Sequence, residues 1–158
     1  MPGFFETLID QLREPLHDEK IRHRNLPFLK GAMAASALAA IADGSITFSQ
    51  RVRVDQVLQT LEALKVFDPH EGVDLFNQYT DSILKSPQSG RKKALKAIRN
   101  VAKDEETAAL LIRICRAISE AHGEPSLVEK IEMISLCSQL GVDPNACGLD
   151  VNDLTQRT

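Results

Sequence analysis

Residues 28–42 read FLKGAMAASALAAIA, and this segment sets the fold class. Small apolar side chains occupy nearly every face of a helix drawn through it, so other helices must enclose it. It is well short of the roughly 20 apolar residues that a helix needs to span a bilayer. The segment therefore predicts a buried helix in the interior of an all-α domain.

Other helical stretches lie on both sides of this segment, with proline and glycine between them. Their apolar residues recur at helical spacing, and the chain of 158 residues is long enough for one core and too short for two ordinary domains. The pattern predicts an all-α, compact single-domain bundle of about seven helices. They cover about residues 4–13, 28–42, 48–64, 90–103, 104–118 and 127–140, with one more between Pro69 and Ser86.

The charge balance argues against a nucleic-acid-binding protein. Lys and Arg total 19 against 22 Asp and Glu, so the net charge is −3. A basic stripe on one predicted helix is compatible with an acidic partner or RNA, but we interpret it as a solvated face because no aromatic residues interleave with it. The N-terminus lacks the basic start and apolar stretch of a secretory signal, so we expect a cytoplasmic protein that does not insert into a membrane. The stripe consists of Lys92, Lys96, Arg99 and Lys103.

Three cysteines cannot form a closed disulfide framework. Cys115 and Cys137 fall on apolar helical faces, which is typical of core thiols in a reducing compartment. Cys147 lies in the tail sequence DPNACG, where we expect an exposed thiol. No CxxC spacing indicates zinc or redox chemistry.

Two segments of the chain share one pattern. Residues 40–52 read AIADGSITFSQRV, and residues 119–131 read SEAHGEPSLVEKI. Each contains a helix end, a glycine, a hydroxyl residue, and a Gln or Glu three positions later. Because a hydroxyl residue followed by Gln or Glu at this spacing forms a capping box, both segments predict a turn followed by a helix start. We therefore predict that the chain is built from two pseudo-repeated halves.

The paired segments, together with three further pieces, resemble the tellurite-resistance TerB family. These pieces are the Gly3-Phe4-Phe5 start, the sequence LKVFD at residues 64–68, and the ending LGVDPNACGL at residues 140–149. The resemblance covers residues 1–149 and leaves residues 150–158 as a polar C-terminal tail. It implies a compact helical fold and a cytoplasmic bacterial protein linked to tellurite resistance and the stress response.

The TerB resemblance also implies a divalent-metal site formed by acidic residues at the two turns. Its positions fall on Asp43, Gln50, His122 and Glu129, of which only two are acidic here. A calcium-like site needs about six to eight oxygen ligands, so the amide and the imidazole should weaken it, and the imidazole should shift its preference towards zinc. Capping alone also accounts for Gln50 and Glu129, and both interpretations stay open.

No phosphate-binding loop, GxSxG elbow or HExxH helix occurs in the sequence, which leaves nothing on which to base an enzyme. The hypothesis that follows is a non-enzymatic TerB-like accessory protein that acts by binding, with a weak or altered metal site at the two turns. We expect a protein partner, and neither nucleic acid nor a membrane. The alternative is a metal-free helical scaffold or protein-interaction module.

Overall fold

A computed structural model describes residues 25–60 and 67–149 of the chain. Within these ranges the chain forms six α-helices and two short 3-10 turns, with no strand, which confirms the predicted all-α bundle. The helix predicted at residues 4–13 and the tail at residues 150–158 lie outside the described residues. The helices are α1 (Asn25–Ala40), α2 (Phe48–Thr60), α3 (Pro69–Lys85), α4 (Pro87–Val101), α5 (Glu105–Ser119) and α6 (Leu127–Leu140), and the turns are η1 (Glu120–His122) and η2 (Pro144–Cys147).

Helix α1 is the centre of the bundle, as its composition predicts. From Phe28 to Ile41 every residue except Lys30 is buried. The helix packs against α3, α4, α5 and α6, and its small side chains allow these neighbours to approach closely. Among the described helices, none combines the length and the apolar character needed to cross a membrane.

Local capping explains where the surrounding helices begin and end. The Asp68 carboxylate accepts the N–H of His70 at the start of α3, and the Asp104 carboxylate accepts the N–H of Thr107 at 2.7 Å at the start of α5. Helix α6 ends at Gly141, which adopts the left-handed conformation with φ 71°. These boundaries follow from short-range hydrogen bonds within the sequence.

The two halves of the bundle are related by a shift of 79 residues, the separation between Gln50 and Glu129. Under this shift α1–α2 corresponds to α5–α6. Helix α1 packs on α5, and each also contacts the second helix of the other half. The buried positions of α2 are 50, 54, 57 and 58, and those of α6 are 129, 133, 136 and 137, which the same shift brings into register. The burial pattern thus supports the predicted repeat.

Candidate functional site

The first turn leads from α1 into α2. Gly44 has a φ of 91°, in the region that favours glycine, and the Asp43 carboxylate accepts the N–H of Ser45 at 3.2 Å. The Thr47 hydroxyl accepts the N–H of Gln50 at 3.1 Å, and the Gln50 amide oxygen accepts the N–H of Thr47 at 2.9 Å. This reciprocal pair is the predicted capping box.

The second turn repeats this arrangement between α5 and α6. Gly123 has a φ of 115° and follows the 3-10 turn η1. The Ser126 hydroxyl accepts the N–H of Glu129 at 3.2 Å, while the Glu129 Oε1 accepts the N–H of Ser126 at 3.1 Å. The second predicted capping box is therefore also present, with a carboxylate where the first has an amide.

The two capping boxes are joined to each other in the interior. The Nε2 of Gln50 donates to the Oε2 of Glu129 at 3.2 Å, and the two residues are only 1% and 0% exposed. The orientation of the amide follows from its surroundings, because its oxygen must face the N–H of Thr47 and its nitrogen then faces the carboxylate. These residues are equivalent under the shift of 79 residues, so their contact joins matching positions of the two halves.

A buried carboxylate loses its hydration, so hydrogen bonds or an opposite charge must replace the contacts it made with water. Each Glu129 oxygen accepts one hydrogen bond, from a backbone N–H and from an amide N–H respectively. The carboxylate also lies at the start of α6, where the helix dipole favours negative charge. Two carboxylates in the same contact would repel each other and would need a cation or a proton. In this chain the amide of Gln50 supplies the hydrogen bond instead.

A second pair of residues is related by the same shift of 79 residues, Ser36 of α1 and Cys115 of α5. Both residues are fully buried, and burial raises the pKa of Cys115 to about 12. The Ser36 hydroxyl also donates to the Ala32 carbonyl at 2.7 Å. The two central helices thus carry a buried hydroxyl and a buried thiol at equivalent positions.

Of the four predicted metal-site residues, the structure brings Gln50 and Glu129 into direct contact. Asp43 is exposed at the first turn, and the side chain of His122 lies outside what the structure describes. Among the described side chains, no group of three or more His, Cys, Asp or Glu residues is arranged to hold a metal ion. The convergence of Asp43, His122 and Glu129 therefore stays a prediction.

The expectation of an exposed Cys147 is wrong. Its side chain is 0% exposed, because turn η2 folds back and packs between α5 and α6. Arg113 and Arg116 of α5 donate to the carbonyls of Ala146 and Gly148 and hold this turn in place. Cys115 and Cys137 are buried as predicted, and the three thiols are free.

Exposed apolar side chains lie on the first two turns of both α2 and α6, and we call this set of residues the helix-start face. Each of its members lies within two residues of Gln50 or Glu129 along the chain. Sequence reasoning missed this face, although apolar residues outside the buried stripe of a helix are a signal for it. The face consists of Phe48 (80% exposed), Val52 (39%), Leu127 (41%), Val128 (48%) and Ile131 (50%).

Comparison with known proteins identifies the family of this chain. The family model described as tellurite resistance protein TerB matches residues 30–149. The chain belongs to the TerB family. A tellurium resistance protein TerB from Alcaligenes sp is 30% identical over 119 residues, which cover 72% of this chain and 98% of that protein. No solved structure matches the chain. The TerB match contains both capping boxes and the helix-start face.

Proposed function

We propose that the chain is a non-enzymatic, cytoplasmic accessory protein in tellurite resistance that acts by binding a protein partner through the helix-start face. Membership of the TerB family and the name of the Alcaligenes relative support the link to tellurite. The observation that carries the binding role is the presence of five exposed apolar side chains on the first two turns of α2 and α6.

The helix-start face has the properties of a binding surface. Exposed large apolar side chains that recur at two helix starts are candidates for contact with a partner, and a buried aromatic side chain is a frequent anchor in protein interfaces. Phe48 supplies such a side chain and is 80% exposed. The two capping boxes and the bond between Gln50 and Glu129 hold both helix starts in fixed positions, so little ordering is needed on binding.

The test replaces apolar members of the face and measures tellurite resistance in cells that carry the variant as their only copy. We expect Phe48→Ser and Ile131→Ser to abolish or strongly reduce resistance. Both are surface substitutions, so each should change the free energy of unfolding by only about 0.5 kcal/mol, which thermal unfolding can measure. Leu84→Ser is the matched control, because Leu84 is 54% exposed but belongs to α3. Full resistance in Phe48→Ser, or equal loss in Leu84→Ser, would contradict the proposal.

A weak divalent-metal site at Asp43, Gln50, His122 and Glu129 is the second candidate. It is favoured by the position of the Glu129 carboxylate, which lies where the two halves meet. We expect an ion to bind there more weakly than to a full carboxylate cluster, because it would have to displace the hydrogen bond from the Gln50 amide. Without metal, the protein would be the helical scaffold or interaction module.

Calorimetry with Ca²⁺, Mg²⁺, Mn²⁺ and Zn²⁺ tests the metal site. We expect weak binding that is lost in both Asp43→Ala and Glu129→Ala. It should also decrease as the pH falls through about 6.5, where an imidazole ligand becomes protonated. Binding that both substitutions leave unchanged would place the ion elsewhere. If none of the four ions gives a measurable heat of binding, the metal site is absent and only the partner-binding role remains.

A further inference from the structure

Positive charge is concentrated at α4. Residues 85–103 contain seven Lys and Arg residues and no Asp or Glu, whereas the rest of the chain has 12 Lys and Arg residues against 22 Asp and Glu. The basic stripe lies within this segment, and its four side chains are all exposed. A protein with a negative net charge therefore presents one strongly positive helix.

The basic stripe faces away from the body of the bundle. Lys92, Lys96 and Arg99 recur at spacings of four and three residues, so they lie on one side of α4, and Lys103 follows just beyond the end of the helix. The opposite side of α4 is buried, and the helix contacts α1 and α3. The buried residues are Gly90, Ala94, Ile98 and Val101.

In the part of the chain that the structure describes, the four cations of the basic stripe have no ion-pair partner. Arg91, beside the stripe, pairs with Glu132 of α6 at 2.8 Å. Helix α5 has the usual arrangement of opposite charges four residues apart, with Arg116 and Glu120 paired at 3.1 Å. Like charges at this spacing repel each other, so the stripe lowers the stability of the free protein. An anionic partner would remove this repulsion.

We propose that the basic stripe binds an acidic α-helical segment of a partner protein, in which Asp or Glu recurs at the same spacing. Such a helix, laid along α4, would place a carboxylate opposite each cation of the stripe. The stripe is about 10 Å long between Lys92 and Arg99, so a few turns of helix are enough to cover it. It shares no residue with the helix-start face or the candidate metal site, so its role does not depend on either.

The composition of the segment favours a short acidic peptide over other anions. Residues 85–103 contain no aromatic residue, so nucleic-acid bases would have no side chain on which to stack. A long nucleic acid or an anionic membrane would also extend past the stripe, where the excess of Asp and Glu in the rest of the chain would repel it. A short acidic helix would meet only the positive surface.

Fluorescence anisotropy of a labelled peptide, titrated with the full-length protein, tests the proposal. The probe is an alanine-rich helical peptide whose four Glu residues recur at spacings of four, three and four. Its matched control has the same composition, with the four Glu residues placed consecutively. We expect the probe to bind about tenfold more tightly than the control, and to bind about tenfold more weakly when salt rises from about 0.05 to about 0.3 M. Equal affinity for the two peptides would overturn the proposal.

Lys96→Glu separates binding from folding. In the free protein it replaces repulsion of Lys92 and Arg99 by attraction at helical spacing, so the variant should unfold at the same or a higher temperature. It should nevertheless bind the probe about tenfold more weakly, because a carboxylate would then face a carboxylate. Arg51→Glu is the control: it makes the same change of charge at an exposed position of α2 and should bind as the native protein does. Native affinity in Lys96→Glu, or an equal loss in Arg51→Glu, would contradict the proposal.

Two further probes decide between the acidic helix and other anions. The native protein is titrated into a single-stranded RNA oligonucleotide and into vesicles of phosphatidylglycerol. At the same salt concentration, we expect both to bind more weakly than the acidic peptide. Tighter binding to either one, weakened by Lys96→Glu, would assign the basic stripe to RNA or to a membrane surface and would overturn the proposal.

Discussion

The turn at residues 40–52 and the turn at residues 119–131 have the same hydrogen-bond pattern but different chemistry at their point of contact. Both contain a glycine with positive φ, a hydroxyl cap and a reciprocal capping box. The first copy contributes the amide of Gln50 and the second the carboxylate of Glu129. The comparison shows that equivalent positions of the two copies can form a buried contact when only one of them carries a charge.

The first helices of the two halves differ in a related way. Equivalent positions on α1 and α5 include Ala35 and Ile114, and Ala39 and Ile118, all fully buried. Helix α1 is also covered by α3 and α4, which are inserted between the halves, and small side chains make room for them. The repeat therefore sets which positions face inward, and the inserted helices decide how large their side chains are.

The largest expected effect on stability comes from introducing a charged side chain at the centre of the bundle. Ala35 is fully buried, and Ala35→Glu would place an unpaired carboxylate where α1 meets its neighbours. We expect the free energy of unfolding to fall by more than about 4 kcal/mol, so that circular dichroism detects no folded protein. Lys30→Glu is the control, because Lys30 is exposed on the same helix, and it should fold with a change of about 0.5 kcal/mol. A folded Ala35→Glu would place α1 at the surface.

The second prediction makes the two turns chemically identical. Gln50→Glu would bring two carboxylates together in a buried contact. This should lower the free energy of unfolding by about 3–5 kcal/mol at neutral pH. Repulsion would raise the pKa of one carboxyl in the folded state above its unfolded value. The folded state would then bind a proton that the unfolded state releases, so the free energy of unfolding should fall as the pH rises. Urea unfolding at several pH values measures this slope.

The swapped variant sharpens the same comparison. Gln50→Glu combined with Glu129→Gln restores one amide and one carboxylate in exchanged positions. Because the two capping boxes have the same hydrogen-bond pattern, most of the lost stability should return at neutral pH. If the double variant is no more stable than Gln50→Glu alone, the two sides of the contact are not equivalent. Addition of a divalent cation should also stabilise Gln50→Glu more than the native protein.

The smallest effect concerns the hydroxyl caps. Thr47→Ala and Ser126→Ala should each cost about 1 kcal/mol, since each leaves one N–H at a helix start without its partner. Their boxes are joined through Gln50 and Glu129, so the double variant should deviate from additivity by about 0.5 kcal/mol or more. Urea unfolding of the three variants gives the coupling directly. Strict additivity would mean that the two boxes act as separate caps.

The sequence alone was sufficient for the features that rest on nearby residues. The capping boxes join residues three positions apart, and the prediction from hydroxyl and Gln or Glu spacing is confirmed at both turns. The burial of α1 was also predictable, because a helix with no polar face has to be enclosed. The helix breaks followed from proline and glycine for the same local reason.

Tertiary structure decided the contacts between residues far apart in the chain. Nothing local indicates that Gln50 donates to Glu129, that Cys147 is buried, or that the apolar residues beside the caps stay exposed. A periodic pattern shows which side chains share a helix face, but the packing of the helices determines what each face meets. Capping is a property of one helix end, whereas the bond between the two caps exists only because the bundle places both ends together.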